Sequence, residues 1–211
     1  MKSFSKPSPR TMTALVIVLH LVGVAGFVYE PTRWLFLALV PANLLLNIAM
    51  LALFHEGRSY RITVLLSAIA LLGFLAEALG VNTGWVFGHY AYSPALGFQV
   101  LDTPLMIGLL WAMLIYLFVV VLGSLRGWQF VLAGALSMTL FDVVMEPGAV
   151  SIGLWSWSDG TVPWLNYATW FGLSVLMLMM MGGQAGQIKN RLALTILLSQ
   201  LLFFKALWVL M

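Results

Sequence analysis

Cysteine is absent from the 211 residues, and charge is scarce: Asp, Glu, Lys and Arg together make up 8% of the chain. Without cysteine there is no disulfide framework, iron–sulfur cluster or thiolate metal site, and the redox compartment is left open. An ordinary soluble domain carries about 25% charged residues, so this chain cannot cover a water-facing globule. None of its runs is low-complexity or disordered in composition. The three histidines, His20, His55 and His89, are scattered without metal-ligand spacing. No P-loop, glycine-rich dinucleotide fingerprint or nucleophile elbow occurs. The expectation is therefore no metal and no cofactor. The formal net charge of +3 falls in short connections between apolar runs and is no nucleic-acid signal.

What is abundant is apolar: 62% of residues are hydrophobic and 13% aromatic. The composition is that of a polytopic membrane protein. A spanning helix needs about 20 mostly apolar residues, and seven stretches qualify: roughly 11–29, 33–54, 61–80, 104–123, 128–146, 164–183 and 191–210. The first is longer than a signal-peptide core and lacks a small-x-small cleavage site, so it reads as a retained span. Lipid forbids exposed irregular backbone, so the fold class expected is all-α. One transmembrane domain over 1–211 would form a seven-helix bundle with membrane lipid as its surroundings.

Orientation follows from basic residues in the short connections. With the N-terminus inside, the inner side holds Lys2, Lys6, Arg10, Arg58, Arg61, Arg126, Lys189 and Arg191, against Arg33 alone outside. This predicts N-inside and C-outside in the cytoplasmic membrane. Lys205 lies near the outer end of the last span and can snorkel. Trp34, Trp85, Trp155, Trp157, Trp164 and Trp208 fall at the outer ends, where an interfacial belt belongs. Two outer loops, 81–103 and 147–163, lack Lys and Arg yet are rich in aromatics and glycine. They read either as lids folded over the bundle mouth or as segments resting on headgroups.

Seven acids are present. Glu30, Glu56 and Asp159 lie in connections and read as solvated, and Asp102 as a cap for the fourth span beside Pro104. Glu77, Asp142 and Glu146 lie inside apolar helices. Glu77 is sixteen residues beyond Arg61 and Asp142 sixteen beyond Arg126. At 1.5 Å per residue both sit about 24 Å across a core of about 30 Å. Glu146 stacks one turn above Asp142, and Pro147 is expected to end or bend that helix. Ionisable groups at such depth are by default a functional site. Carboxyls gathered in a dry setting favour keeping a proton among them, which is what general-acid chemistry requires. The competing reading is that they only tie helices together. His20, Asn43 and Asn47 read as interhelical hydrogen-bond partners, His55 as a solvated loop residue, His89 as a side chain able to orient a carboxyl, and Met177–Met181 as adaptable packing.

The stretch Glu77-Ala-Leu-Gly80-Val-Asn-Thr83-Gly84-Trp-Val-Phe87-Gly88-His-Tyr90-Ala-Tyr92, followed by Pro104 and Trp111, resembles the carotenoid 1,2-hydratase family of integral membrane proteins. So does a second block: Asp142-Val-Val-Met-Glu146-Pro147, Trp155-Ser-Trp157, Pro163, Asn166 and Trp170. The resemblance covers roughly 74–170 by motif, with Ser158 to Val162 shorter than in relatives. It implies addition of water to the terminal C1–C2 double bond of an acyclic carotenoid, without a redox cofactor. It also implies Asp142, Glu146 and Glu77 as catalytic acids; Asp142, one turn deeper than Glu146 and so better desolvated, is the first choice of proton donor, with Glu146 or Glu77 activating the water. Substrate would be held by His89, Tyr90, Tyr92, Trp111, Trp155, Trp157, Asn166 and Trp170. The partners implied are a carotenoid and water. A carotenoid cyclase, which begins with the same protonation, and a proton-coupled transporter are the competing activities. A retinal Schiff base on Lys205 is disfavoured by its closeness to the interface.

Overall fold

The computed structural model describes residues 7–57 and 60–211. Lys2, Lys6 and Arg58 of the inner charge count lie outside the described residues. Eight helices follow one another: α1 (Pro9–Val28), α2 (Arg33–Ala38), α3 (Val40–Phe54), α4 (Tyr60–Thr83), α5 (Leu105–Val121), α6 (Gly127–Ser151), α7 (Trp164–Met181) and α8 (Ala193–Leu210). Short strands join their ends: β1 (His55–Glu56), β2 (Tyr90–Tyr92), β3 (Gln99–Val100), β4 (Thr103–Pro104), β5 (Trp155–Trp157) and β6 (Lys189–Asn190).

Among the described residues, α1, α4, α6, α8 and the helix from Trp164 through Gln184 are each long and apolar enough to cross a membrane. The pair formed by Glu30–Ala38 and α3 makes a sixth candidate, bent by 54°. Leu side chains on α1, α4, α6 and α8 remain exposed, as expected where hydrocarbon replaces water. The chain is a helical integral membrane protein.

Three departures from the sequence reading have local causes. The second apolar stretch is broken, because Pro41 can start a helix but cannot donate within one; α3 begins beside it. The fourth is a 17-residue helix, α5, about 26 Å long. It is the most buried of all, with Leu114, Ile115, Leu117 and Val119 fully enclosed. Of the two outcomes expected at Pro147, an end to the helix is not what occurs, since α6 continues to Ser151. One backbone bond is forfeited, a loss that tightly packed neighbouring helices make tolerable.

Several polar residues also sit differently from expectation. Asp102 is no helix cap: with Leu101 it forms the two-residue turn between β3 and β4, both at positive φ (56° and 52°). Asn47 donates to the Asn43 carbonyl at 2.8 Å, and His20 Nδ1 bonds the Val16 carbonyl at 2.8 Å. Both bonds lie within one helix. His55 is not free in a loop, since its Nδ1 is 2.7 Å from the Tyr116 hydroxyl. Asn190 also donates to Tyr116, at 3.0 Å. Exposed Arg191 and Glu56 approach within 3.7 Å, a surface pair worth little.

Candidate active site

The site is assembled from one face of α4, one of α6, the start of α7, the first turns of α5 and the two aromatic loops. Along α4 the relevant positions are Gly73, Glu77 and Gly80, spaced so that they share a face. A side chain at Gly73 would bring its Cβ within 2.7 Å of the Trp111 indole, and one at Gly80 within 2.6 Å of the Phe87 ring. Glycine on either side of Glu77 therefore lets aromatic rings lie against the helix and reach its carboxyl.

The loops meet each other. Strands β2 and β5 pair antiparallel, with Tyr90 opposite Trp157 and Tyr92 opposite Trp155. Strand side chains alternate between faces, so these four aromatics share one face, while Ala91 and Ser156 on the other are exposed. Tyr90 and Trp157 have ring centroids 5.0 Å apart, and Tyr92 meets Trp155 edge-on at 6.0 Å. Thr169 on α7 donates to the Val86 carbonyl and ties the first loop down.

Beneath this pairing lie the three carboxyls, all buried. Glu77 Oε2 accepts the hydroxyls of Tyr90 at 2.5 Å and Tyr92 at 2.8 Å, and its Oε1 accepts Trp111 Nε1 at 2.9 Å. Glu146 Oε2 accepts both Trp155 Nε1 and Trp157 Nε1, each at 3.0 Å. Asp142 Oδ2 accepts Asn166 Nδ2 at 2.7 Å, while its Oδ1 has no hydrogen-bond partner among the described residues. Trp111 stacks on Trp170 with centroids 4.2 Å apart. Burial first, and then the Glu77 carboxylate beside them, push the Tyr90 and Tyr92 phenols above their ordinary value, so both remain O–H donors at neutral pH.

Glu77 and Glu146 face a common cavity that Tyr90, Tyr92, Trp111, Trp155, Trp157, Asn166 and Trp170 also line. Its water-accessible space is about 20 Å³, enough for one water molecule. Two residues expected at the site do not line it. Asp142 stands behind Asn166. His89 takes part through its backbone, its carbonyl accepting the Ser158 amide at 3.0 Å. Sequence reasoning missed Phe87, Ile107, Leu110 and Met145, which complete the wall. The available signals were helical spacing from Trp111 back to Ile107 and the adjacency of Met145 to Glu146. No three His, Asp or Glu side chains among the described residues are grouped to hold a metal ion.

A model of the family described as "Carotenoid biosynthesis protein" matches residues 35–211. The chain belongs to the carotenoid biosynthesis protein family. The carotenoid hydratase-like resemblance carried by the Glu77 and Asp142 motifs is thereby shown. Within the family, this carotenoid biosynthesis protein is similar to the bisanhydrobacterioruberin hydratase of Haloarcula japonica, with 32% identity over 156 residues. The matched region is 68% of this chain and 53% of the relative, so the chain spans about half the length of that curated protein. No solved structure matches it.

Proposed function

We propose that this carotenoid biosynthesis protein is a hydro-lyase of the carotenoid 1,2-hydratase type, adding water to the terminal double bond of an acyclic carotenoid. The observation that carries this reading is a one-water cavity bounded by two buried carboxyls and a cage of aromatic faces. Hydration of an unactivated trisubstituted alkene needs a proton donor, a means to stabilise a tertiary cation, and a water in reach. Each has a candidate here.

Glu146 faces the cavity and takes both indole hydrogen bonds on Oε2, leaving Oε1 unclaimed by any described residue. It is therefore assigned the step that the sequence reading gave first to Asp142. Its proton goes to C2, the alkene π pair forms the C–H bond, and the cation develops at C1. Tyr90, Trp157 and Trp170 offer π faces, worth about 2 kcal/mol or more each when desolvated. Glu77, held by three donors, supplies fixed negative charge nearby. Water then forms the C–O bond at C1 and returns a proton to Glu146, restoring the acid. Asp142 acts as a positioning residue, fixing which way round the Asn166 amide sits in the wall.

The proposal includes seven crossings: α1, the bent α2–α3 pair, and α4 through α8. The basic-residue bias supports an N-terminus inside and the acid site near the outer face of the cytoplasmic membrane. A carotenoid end group reaches that level naturally while its polyene stays in lipid. Expression in a lycopene-accumulating bacterium, with mass analysis of pigments, tests the reading. Hydration adds one water to the pigment mass, whereas a product of unchanged mass and shortened chromophore would establish cyclisation instead.

A further inference from the structure

The phenol and indole donors of the acid cavity are largely spent. Tyr90, Tyr92 and Trp111 give their hydrogens to Glu77, and Trp155 and Trp157 give theirs to Glu146. Two side-chain oxygens in the same wall have no donor among the described residues, Glu146 Oε1 and Asn166 Oδ1. Neither is sealed away without a partner, as Asp142 Oδ1 is. Both residues are buried and both line the cavity, so that space is where these oxygens open.

The direction of the Asn166 amide is set from two sides. Pro163 starts α7, and the Asn166 backbone N–H closes on the Pro163 carbonyl at 3.0 Å, which fixes the residue in the first turn. Its Nδ2 donates to Asp142 Oδ2 at 2.7 Å. A carboxylate can only accept, so Asp142 keeps the NH₂ end of the amide on its own side and leaves the carbonyl end for the cavity.

The cavity, with about 20 Å³ of water-accessible space, holds one water. One water has two O–H bonds to place, and two bare oxygens stand in the wall. Before proton transfer Glu146 carries the acidic hydrogen, so Asn166 Oδ1 is the oxygen free to hold that water. An amide oxygen takes up no proton near neutral pH, and its hold is the same before and after the step. Once Glu146 has given its proton away, its Oε1 becomes the second acceptor. A water donating to both oxygens turns its lone pairs toward the apolar wall of Ile107, Leu110 and Trp170, the side from which an alkene end can approach.

We infer that Asn166 is a further catalytic residue of this site, its Oδ1 holding the nucleophilic water by one O–H while Asp142 keeps that oxygen facing the cavity. A water lone pair forms the C–O bond to C1, and the hydrogen on the Glu146 side leaves to Oε1, so the proton given to C2 is restored. The inference rests on the hydration reading above. It adds that capture of the cation depends on Asn166, whereas protonation of the alkene does not.

Heavy water separates the two steps. Full-length protein in bilayer nanodiscs is given lycopene in D₂O buffer, and pigment masses are read at early times. A captured cation becomes hydrated product; an uncaptured one loses a proton again and returns as unhydrated pigment carrying deuterium. In the wild type, hydration is expected to outrun that exchange by about tenfold or more. Asn166→Leu should lower the ratio of hydration to exchange by about 10²-fold, the cost of misplacing a reactant by about 1 Å. That variant leaves Asp142 buried without its donor, so the double variant Asp142→Leu, Asn166→Leu is measured beside it. Replacing both partners by apolar groups of similar size is nearly neutral for folding, and the same loss is expected. Hydration and exchange falling by one common factor would give Asn166 a structural role only and overturn the inference. So would undiminished hydration in either variant, or a wild type whose pigment exchanges faster than it hydrates. A wild type that yields neither hydrate nor deuterated pigment would remove the hydration reading itself.

Discussion

Trp155 and Trp157, two residues apart on β5, deliver their indole N–H groups to a single oxygen, Glu146 Oε2. Strand alternation makes this possible, since i and i+2 project to one side. It leaves the other Glu146 oxygen as the only part of that carboxyl not engaged by a described residue. The chemistry proposed for the site depends on this asymmetry.

Glu146→Gln keeps the shape and the two indole contacts but removes the acidic proton. Product formation is expected to fall by about 10²–10⁴-fold, the usual contribution of a positioned general acid, with the protein still folded in detergent. Asp142→Asn, which retains a partner for Asn166, should cause a smaller loss. Pigment mass analysis of the two variants side by side decides the assignment; the reverse order would return the donor role to Asp142.

Gly73→Ala places a methyl group against the Trp111 ring, which the Trp170 stack holds from the other side. Overpacking of this kind costs about 1–3 kcal/mol and exceeds the gain of about 1 kcal/mol in helix propensity. The apparent melting temperature should drop by several degrees in a thermal-shift assay, with the Trp111–Glu77 contact disturbed. A variant as stable as wild type would mean that the close approach is not needed.

Tyr90 and Tyr92 hold their protons to higher pH folded than unfolded, through burial and then the Glu77 charge. A phenol raised in the folded state contributes stability that is intact below its unfolded value of 10.0 and drains away as pH climbs beyond it. Thermal melts between pH 9 and about 11 should therefore show a steep alkaline loss. Tyr90→Phe should begin less stable at neutral pH, having lost a donor to Glu77, yet show a shallower alkaline slope.

Ala91 and Ser156 oppose each other on the exposed side of the β2–β5 pair, and the chain has no cysteine of its own. The double variant Ala91→Cys, Ser156→Cys offers a clean cross-link between the loops, visible as a gel shift reversed by reductant. Activity is expected to survive the cross-link with little loss, because β2 and β5 are already paired in the structure. Complete, reductant-reversible inhibition would show instead that the loops must part for substrate to enter.

Much of this was legible in the residues themselves. Apolar run length found every long helix within a few positions, and the rarity of charge singled out Glu77, Asp142 and Glu146. The two aromatic loops stood out by lacking Lys and Arg, and their Tyr90, Trp155 and Trp157 are buried while Trp85 and Phe98 are exposed. What the chain order hid was partnership. Nothing at Tyr92 names Trp155 as its neighbour 63 residues on, because cross-strand register depends on how two helix pairs dock. Pro147 read as an end or a bend because the penalty of a missing N–H is local, whereas the compensation that lets α6 run on to Ser151 comes from packed neighbours. Asp102 looked like a cap since it precedes a helix, but the left-handed turn there is set by the hairpin on both sides of it.

Each buried acid finds its hydrogen-bond donors further along the same chain and never behind it: Glu77 at 90, 92 and 111, Asp142 at 166, Glu146 at 155 and 157. As the nascent polypeptide leaves the ribosome, every one of these carboxyls enters the insertion machinery before the groups that will satisfy it have been made. The interval is short, at most 34 residues, so biogenesis needs each acid-bearing helix to stay near water only until the next hairpin arrives. Slowing translation just after Glu77 or Glu146 is thus where this protein is most exposed to misinsertion.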